Sequence, residues 1–360
     1  MTADSIIFEQ MKLSERADVL AFLHATYPDT PRQSDPDFWD WHYLDHLNCE
    51  AGKIPVWLAK SEGRIVGQLA TVPVELNVGE RAAPAIWIID LMVDPEFRRR
   101  GIMKKLVLEA NKDYAYMLGS ATRKQHSAAL LTSVGWSVFS EIPRFHKLLF
   151  PGAAAKQLAR SRPLRAAADI AFAPFRPRSK KIAKIGGEIR AVESIDYSFD
   201  ELWSESRSQW GCSISRSSKY LNWQFTRQPG KRFDVLGYYE NDKLLGYAVM
   251  FFRRASDTGV VDKAAISDIC YHPDHAKETV DALLAAALQL AIERRAGGLV
   301  TDTIDALLHE RLRHFGFWRV KSGLELMAIG PGNHELLYDA RHWHLTRGDS
   351  DISIFEHPNL

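Results

Sequence analysis

The chain has 360 residues, enough for two domains of ordinary size, and its 46% apolar and 25% charged content excludes a disordered or fibrous chain. Its net charge of +1 gives no global attraction to nucleic acid or to a membrane. Cys49, Cys212 and Cys270 have neither disulfide-framework nor zinc spacing, no run approaches the ~18 apolar residues of a membrane span, and Met1 to Met11 lacks an apolar h-region; together these point to a cytoplasmic protein without a transmembrane segment.

Ser14 to Leu23 reads as a first helix capped by Ser14, and Asp37 to Leu44 as a second, rich in aromatic residues. Val56 to Ala59 and Ile65 to Val72 are predicted strands joined by a turn at Ser61 to Arg64. Ile88 to Val93 is an apolar run interrupted by Asp90 and stopped by Asp94-Pro95. Simple alternation puts Asp90 with Ile88 and Met92 on the face opposite Ile89, Leu91 and Val93. From Ile102 the apolar positions Ile102, Met103, Leu106 and Val107 recur at helical spacing. Between strand and helix lies Arg98-Arg99-Arg100-Gly101. Amides at a helix start have no partner within the chain, the helix dipole adds positive charge, and glycine lets backbone approach closely, so this loop suits an anion, above all a pyrophosphate. The plain alternative is a solvated basic turn. A short strand at Tyr116 to Gly119, a helix from Lys124 to Ser133 and a strand from Trp136 to Phe139 complete the unit.

This order of elements resembles the GCN5-related N-acetyltransferase (GNAT) family, whose acyl-CoA loop reads Arg/Gln-x-x-Gly-x-Gly/Ala after a strand ending in Val-x-Pro. Val93-Asp94-Pro95, Arg98 and Gly101 match, while Met103 stands where the family prefers Gly or Ala. The resemblance implies an α/β (α+β) domain with a mixed, mostly antiparallel sheet flanked by helices. It implies acetyl-CoA (acyl-CoA) as co-substrate, held by Leu91, Met92 and Val93 of the strand and by Arg98, Arg99, Arg100, Gly101, Ile102 and Met103. The acceptor is then an amine of a small molecule or sugar, with no metal and no nucleic acid. In such an enzyme the amine attacks the thioester directly, strand amides polarise its carbonyl, and a base takes the proton. Asp90 is the candidate base, with a purely structural carboxylate as the alternative. The family's usual acid, a tyrosine four residues before a Gly-Phe, is replaced by Leu131; Tyr43, Tyr114, Tyr116 and His126 are the local substitutes, with packing roles as the alternative for each. A thiolate also leaves unaided, because its pKa lies near neutrality.

The same grammar recurs in the second half. Leu221 to Phe225 echoes Trp39 to Tyr43, Tyr238 to Gly246 echoes Leu58 to Gly67, Ile266 to Pro273 echoes Ile88 to Pro95, and Phe315-Gly316-Phe317 echoes Val134-Gly135-Trp136, at an offset of about 180 residues throughout. The expectation is therefore two tandem GNAT-like domains, 1–150 and 191–360, joined by a linker over 151–190. Where the first half has Arg98-Arg99-Arg100-Gly101, the second has Ala276-Lys277-Glu278-Thr279, without glycine and with an acid, so the second domain is expected not to bind CoA. It would brace the first domain, wall the acceptor site, or hold two subunits together as a homodimer. Asp268 matches Asp90. His272 with His275, and His342-Trp343-His344 with Asp349 and Asp351, have ligand-like spacing but are read as structural. The linker carries ten Lys/Arg against Asp169 and Glu188 and reads as partly helical around Ala154 to Arg160; it is either solvated or a basic patch for an acidic membrane surface or anionic acceptor. Two rival functions remain open: a non-catalytic acyl-CoA- or protein-binding module, and an aminoacyl-transferase of the kind that decorates cell-wall precursors.

Overall fold

The computed structural model describes residues 6–26, 28, 31–46, 52–122, 126–155, 160–175, 186–255, 259–332 and 335–349. In the first half these form β1 (Ile7–Gln10), α1 (Arg16–Thr26), α2 (Pro36–Tyr43), β2 (Val56–Ser61), β3 (Arg64–Val78), β4 (Arg81–Val93), α3 (Ile102–Ala110), β5 (Tyr116–Thr122), α4 (His126–Ser133) and β6 (Ser137–Glu141). Two local details depart from expectation. A 3-10 turn over Leu13–Glu15 precedes α1, and the Glu15 carboxylate rather than Ser14 accepts from the free amide of Lys12, at 2.8 Å. The β3–β4 hairpin is longer than foreseen because Val74, Leu76, Ala85, Ile86 and Trp87 are also buried along it.

The sheet of this unit runs β1-β2-β3-β4-β5, then the distant strand Leu324–Ile329, then β6. All neighbours are antiparallel except β4 and β5, which are parallel. One face buries Leu69, Ile102, Leu106, Val107 and Leu131 under α3 and α4, and the other buries Val19, Leu23, Trp39, Tyr43 and Met92 under α1 and α2.

A bulge decides which side chains face which layer. Ala70 pairs with Asp90 but Thr71 pairs with Ile88, so Ile89 is the extra residue of β4. Alternation resets there. Ile88 consequently joins Leu91 and Val93 in the layer under α3, not Asp90 and Met92 as simple alternation would have it. Asp90 and Met92 face the α1–α2 side.

The second half supplies β7 (Arg144–Leu148), α5 (Pro151–Ala154), α6 (Arg162–Phe172), β8 (Glu188–Val192), α7 (Tyr197–Ser206), β9 (Cys212–Ile214), α8 (Ser218–Leu221), β10 (Phe233–Glu240), β11 (Lys243–Arg254), β12 (Val261–Tyr271), α9 (Ala276–Glu293), β13 (Gly298–Asp302), α10 (Ala306–His314) and β14 (Trp318–Val320); Leu324–Ile329 is β15, and β16 (Trp343–His344) follows. Its sheet runs β14-β7-β13-β12-β11-β10-β8, again with one parallel pair, β12 with β13. It repeats the bulge: Val249 pairs with Asp268 and Met250 with Ile266, skipping Ser267. Of the linker helix expected around 154–160, residues 156–159 lie outside the described residues; the helix observed is α6, further on.

Both halves are thus mixed, mostly antiparallel sheets flanked by helices, as the sequence led us to expect, but the two compact units are not consecutive stretches of chain. One comprises 1–141, 227–231 and 323–342, the other 142–226, 232–322 and 343–360. The cause is a reciprocal exchange of strands. β15, which follows β14 in sequence, pairs with β5 and β6 in the first sheet, while β7, which follows β6, pairs with β13 and β14 in the second. Among the described residues no helix is long and apolar enough to cross a membrane.

Candidate functional site

β4 and β5 separate where the site begins. Their parallel pairing extends only from Ala85 with Tyr116 to Trp87 with Leu118, and beyond it, among the described residues, β4 is paired with β3 alone. Residues Ile88 to Val93 therefore keep one backbone edge open, and its amides are available to a carbonyl oxygen or an extended polar chain.

The open edge leads into the arginine loop. Asp94 stops the strand and accepts from the Glu96 amide at 2.9 Å, starting a 3-10 turn over Pro95–Phe97. Arg99 at φ 65° and Gly101 at φ 75° are both left-handed, the second forming the N-cap of α3. Such turns leave successive amides on one side of the backbone, the arrangement that cradles phosphate oxygens. A Cβ on Gly101 would meet nothing within 4 Å, so this position is open space over which ligand can lie. Arg98 folds back to donate to the Val93 carbonyl at 3.3 Å, and Arg100 stacks over the Phe97 ring at 4.6 Å. Among the described residues Arg99 has no such anchor. Met103 packs partly against the layer beneath α3, which is how the chain accommodates a large residue in this turn.

What sequence reading missed here is Gly67. A Cβ on it would stand 3.1 Å from Ile102 and 3.1 Å from the Met92 carbonyl, so a side chain there would push the start of α3 a few tenths of an ångström off the sheet, and glycine lets it settle closely beside the open edge. The local signal was a glycine within the β3 apolar run.

On the opposite face the Tyr43 hydroxyl donates to Asp90 Oδ2 at 3.0 Å, both residues being buried. Of the other candidate acids, Tyr114 sits edge-on to Trp57 at 6.4 Å and Tyr116 packs against Gly330, while Leu131, which replaces the family's tyrosine, is 4% exposed within the layer under α4. Lys124 lies outside the described residues, and His126 lies in α4. Gln68, fully buried on β3 opposite Met92, donates to the Met92 sulfur at 3.7 Å and keeps its Oε1 without a hydrogen-bond partner among the described residues.

The second unit has the same plan with each opening closed. Gly246 repeats the close approach of Gly67, with Thr279 where Ile102 stands, so Thr279 is the counterpart of Ile102 and not, as the aligned halves suggested, of Gly101. The loop shrinks to His272–His275, and α9 begins a turn earlier at Ala276. That turn carries Glu278, which accepts from the Gly186 amide and the Tyr238 hydroxyl at 3.0 and 3.1 Å. Helical backbone and a carboxylate thus stand where the first unit has its arginine loop. Alongside β12 lies the segment Trp343 to Asp349: His344 Nε2 meets the Ile269 carbonyl at 3.0 Å, and Gly348 lies so near Ser267 that a Cβ there would be 2.9 Å from its carbonyl oxygen. Asp268, the counterpart of Asp90, is fully engaged with Arg216, Thr346 and Tyr247. Burial alone would raise its carboxyl, but Arg216 above all, with His344, Thr346 and Tyr247, holds it below the usual carboxylate range. No group of three or more His, Cys, Asp or Glu residues placed to hold a metal occurs among the described residues; His272 and His275 lie instead against Glu205 and Glu240, at 3.4 and 3.8 Å.

A bulged strand diverging from its parallel neighbour, running into a glycine-capped helix, defines the acyl-CoA N-acyltransferase class of fold. Residues 8–125 match the family model described as an acetyltransferase (GNAT) domain. Among curated proteins none matches the sequence. Solved structures share the fold at low identity. A GCN5-related N-acetyltransferase from Anabaena variabilis is 13% identical with a TM-score of 0.60, covering 90% of this chain and 72% of its own. A probable N-acyltransferase from Enterococcus faecalis is 13% identical with a TM-score of 0.59 and the same coverage. Saccharomyces cerevisiae N-myristoyltransferase with bound myristoyl-CoA is 12% identical with a TM-score of 0.57, covering 91% of this chain and 83% of its own.

Proposed function

We propose that the first unit is an acyl-CoA-dependent N-acyltransferase, most simply an N-acetyltransferase, acting on an amine of a small molecule or sugar. The observation that carries this reading is the juxtaposition of an open β4 edge with a loop holding Arg99 and Gly101 in left-handed conformations at the start of α3. Pyrophosphate sits on the amides of Gly101, Ile102 and Met103 with Arg98, Arg99 and Arg100 around it, and the thioester arm follows the edge at Leu91, Met92 and Val93. An amide of that edge stabilises the oxyanion. The acceptor approaches from the α1–α2 side. Its nitrogen gives a proton to Asp90, attacks the thioester carbon, and the carbon–sulfur bond breaks to release CoA thiolate. Tyr43 holds the Asp90 carboxylate in place by its hydrogen bond.

A thermal-shift screen against CoA thioesters followed by thiol release with an amine library tests the reading. Acyl-CoA binding with release of thiol that depends on an amine and is lost in Asp90→Asn is the expected result. The non-catalytic reading is favoured by one observation, Leu131 buried where an acid would stand; acyl-CoA binding without thiol release for any amine would establish it.

A further inference from the structure

β4 and β5 part after Trp87 and Leu118, so the floor of the fork between them is set by the next residue on each strand, Ile88 and Gly119. β5 stays paired with β15, Gly119 with Met327, so its line is fixed while β4 diverges. The bulge at Ile89 turns Ile88 toward the layer under α3 and α4, which also holds Trp136. Gly135, at φ 95°, makes the turn that delivers Trp136, whose amide donates to the Leu131 carbonyl at 3.1 Å. A Cβ built on Gly119 would lie 3.5 Å from the Trp136 ring and 3.9 Å from the Ile88 Cβ, ordinary contact distances on both sides. Glycine therefore leaves a methyl-sized hollow between an isoleucine and an indole at the closed end of the fork. In the second unit the same step is tied shut: after the last parallel pair, Ala265 with Val300, the Thr301 hydroxyl donates to the Ile266 carbonyl at 3.0 Å. Gly119 has no side chain to make that tie.

The trigonal shape of a thioester says which part of the substrate meets this hollow. With the carbonyl oxygen on an amide of the β4 edge and one face turned to an acceptor on the α1–α2 side, sulfur and acyl chain leave the carbonyl carbon in opposite directions along the strand. Sulfur leads past Val93 to the arginine loop, so the acyl chain points to Ile88 and Gly119. At about 3.3 Å per residue, roughly 10 Å of edge separate Leu91 from Ile88, and contact with the floor takes about 4 Å of that. What remains holds a short acyl group and stops a fatty chain against the Trp136 ring.

We propose that Ile88, Gly119 and Trp136 form the floor of the acyl site and that Trp136 restricts the acyl group to a few carbons. This rests on the acyl-transfer reading of the same site and names the class of acyl group it takes. Acetyl-, butyryl- and octanoyl-CoA are compared using the amine that supports thiol release. The native chain should show kcat/KM at least about tenfold lower for octanoyl-CoA than for acetyl-CoA. Trp136→Leu, which lowers the floor, should raise the octanoyl-to-acetyl ratio about tenfold or more. Gly119→Ala, whose methyl fills the hollow at ordinary contact distances, should lower the butyryl-to-acetyl ratio about tenfold. Circular dichroism identifies a variant that has not folded, and either variant alone suffices for the test. Native preference for octanoyl-CoA, or ratios that no folded variant moves, would overturn the proposal. Binding of acyl-CoA without thiol release would defeat the transfer reading instead, and the same ratios would then be taken from dissociation constants. Failure of every thioester to bind would overturn both.

Discussion

Tyr43 and Asp90, 47 residues apart in sequence, meet through a hydrogen bond of 3.0 Å from the phenol to Oδ2, with α2 packed on the sheet at β3 beside them. In the second unit the matching Asp268 is instead held by Arg216, Thr346 and Tyr247. If Asp90 is the base of the proposed acyl transfer, substituting it should affect turnover and not acyl-CoA binding. Asp90→Asn should lower kcat by about 10²–10⁴-fold with acyl-CoA affinity unchanged, and Tyr43→Phe by about tenfold. Steady-state thiol release and calorimetry separate the two quantities; an unchanged kcat in Asp90→Asn would remove it as the base.

Each chain should bind one acyl-CoA. The extra turn of α9 and the segment Trp343 to Asp349 obstruct the second unit at the phosphate position and along β12. Calorimetry giving two sites per chain would contradict this.

Gly101→Glu should raise the dissociation constant for CoA at least about tenfold beyond that of Gly101→Ala, since the side chain meets no protein atom but brings negative charge to the proposed phosphate position. Gly101→Ala isolates the backbone: at φ 75° it should cost roughly 1 kcal/mol of stability. If Gly101→Glu binds CoA as tightly as the native chain, the loop is not the phosphate site.

A fragment ending near Phe150 should fail to fold, because it lacks β15, whose Leu326, Met327 and Ala328 are fully buried between β5 and β6. Circular dichroism and gel filtration of that fragment would show an unfolded or aggregated chain. A soluble monomer with a cooperative melt would mean the first sheet closes without the exchanged strand.

Stability should fall as solutions are acidified, with His46 contributing. It is 4% exposed, and burial pushes its imidazole down to about 3. A histidine depressed on folding stays neutral in the folded chain, so its contribution is complete above about pH 6.5 and is lost as pH falls toward 3, at about 1.4 kcal/mol per unit. Between about pH 7 and about pH 5 the native chain should lose roughly 2 kcal/mol through this group, and His46→Gln should lose correspondingly less. Denaturant midpoints at the two pH values give the difference; parallel losses would show that His46 does not carry the effect.

The arginine loop, the strand before it, the helix after it and the repetition of the whole plan were legible in the amino-acid order, because each depends on residues within a few positions of one another. So was the loss of the second loop, since the stretch after Tyr271-His272-Pro273 carries neither arginine nor glycine before its helix and brings in Glu278, although the residue-for-residue match of Thr279 with Gly101 was off by one and the structure sets Thr279 against Ile102. The face on which Ile88 lies was not, because the bulge at Ile89 is a property of how β3 pairs with β4 and leaves the composition of β4 unchanged. Nor was the exchange of β7 and β15: each is a short strand compatible with either sheet, and its place is decided by which edge remains unpaired when the other strands have closed. The orientation of α6 belongs to the same group, since an amphipathic pattern shows two faces, and only the packing of Asp169 against Gly152 and Arg295 determines which of them meets solvent.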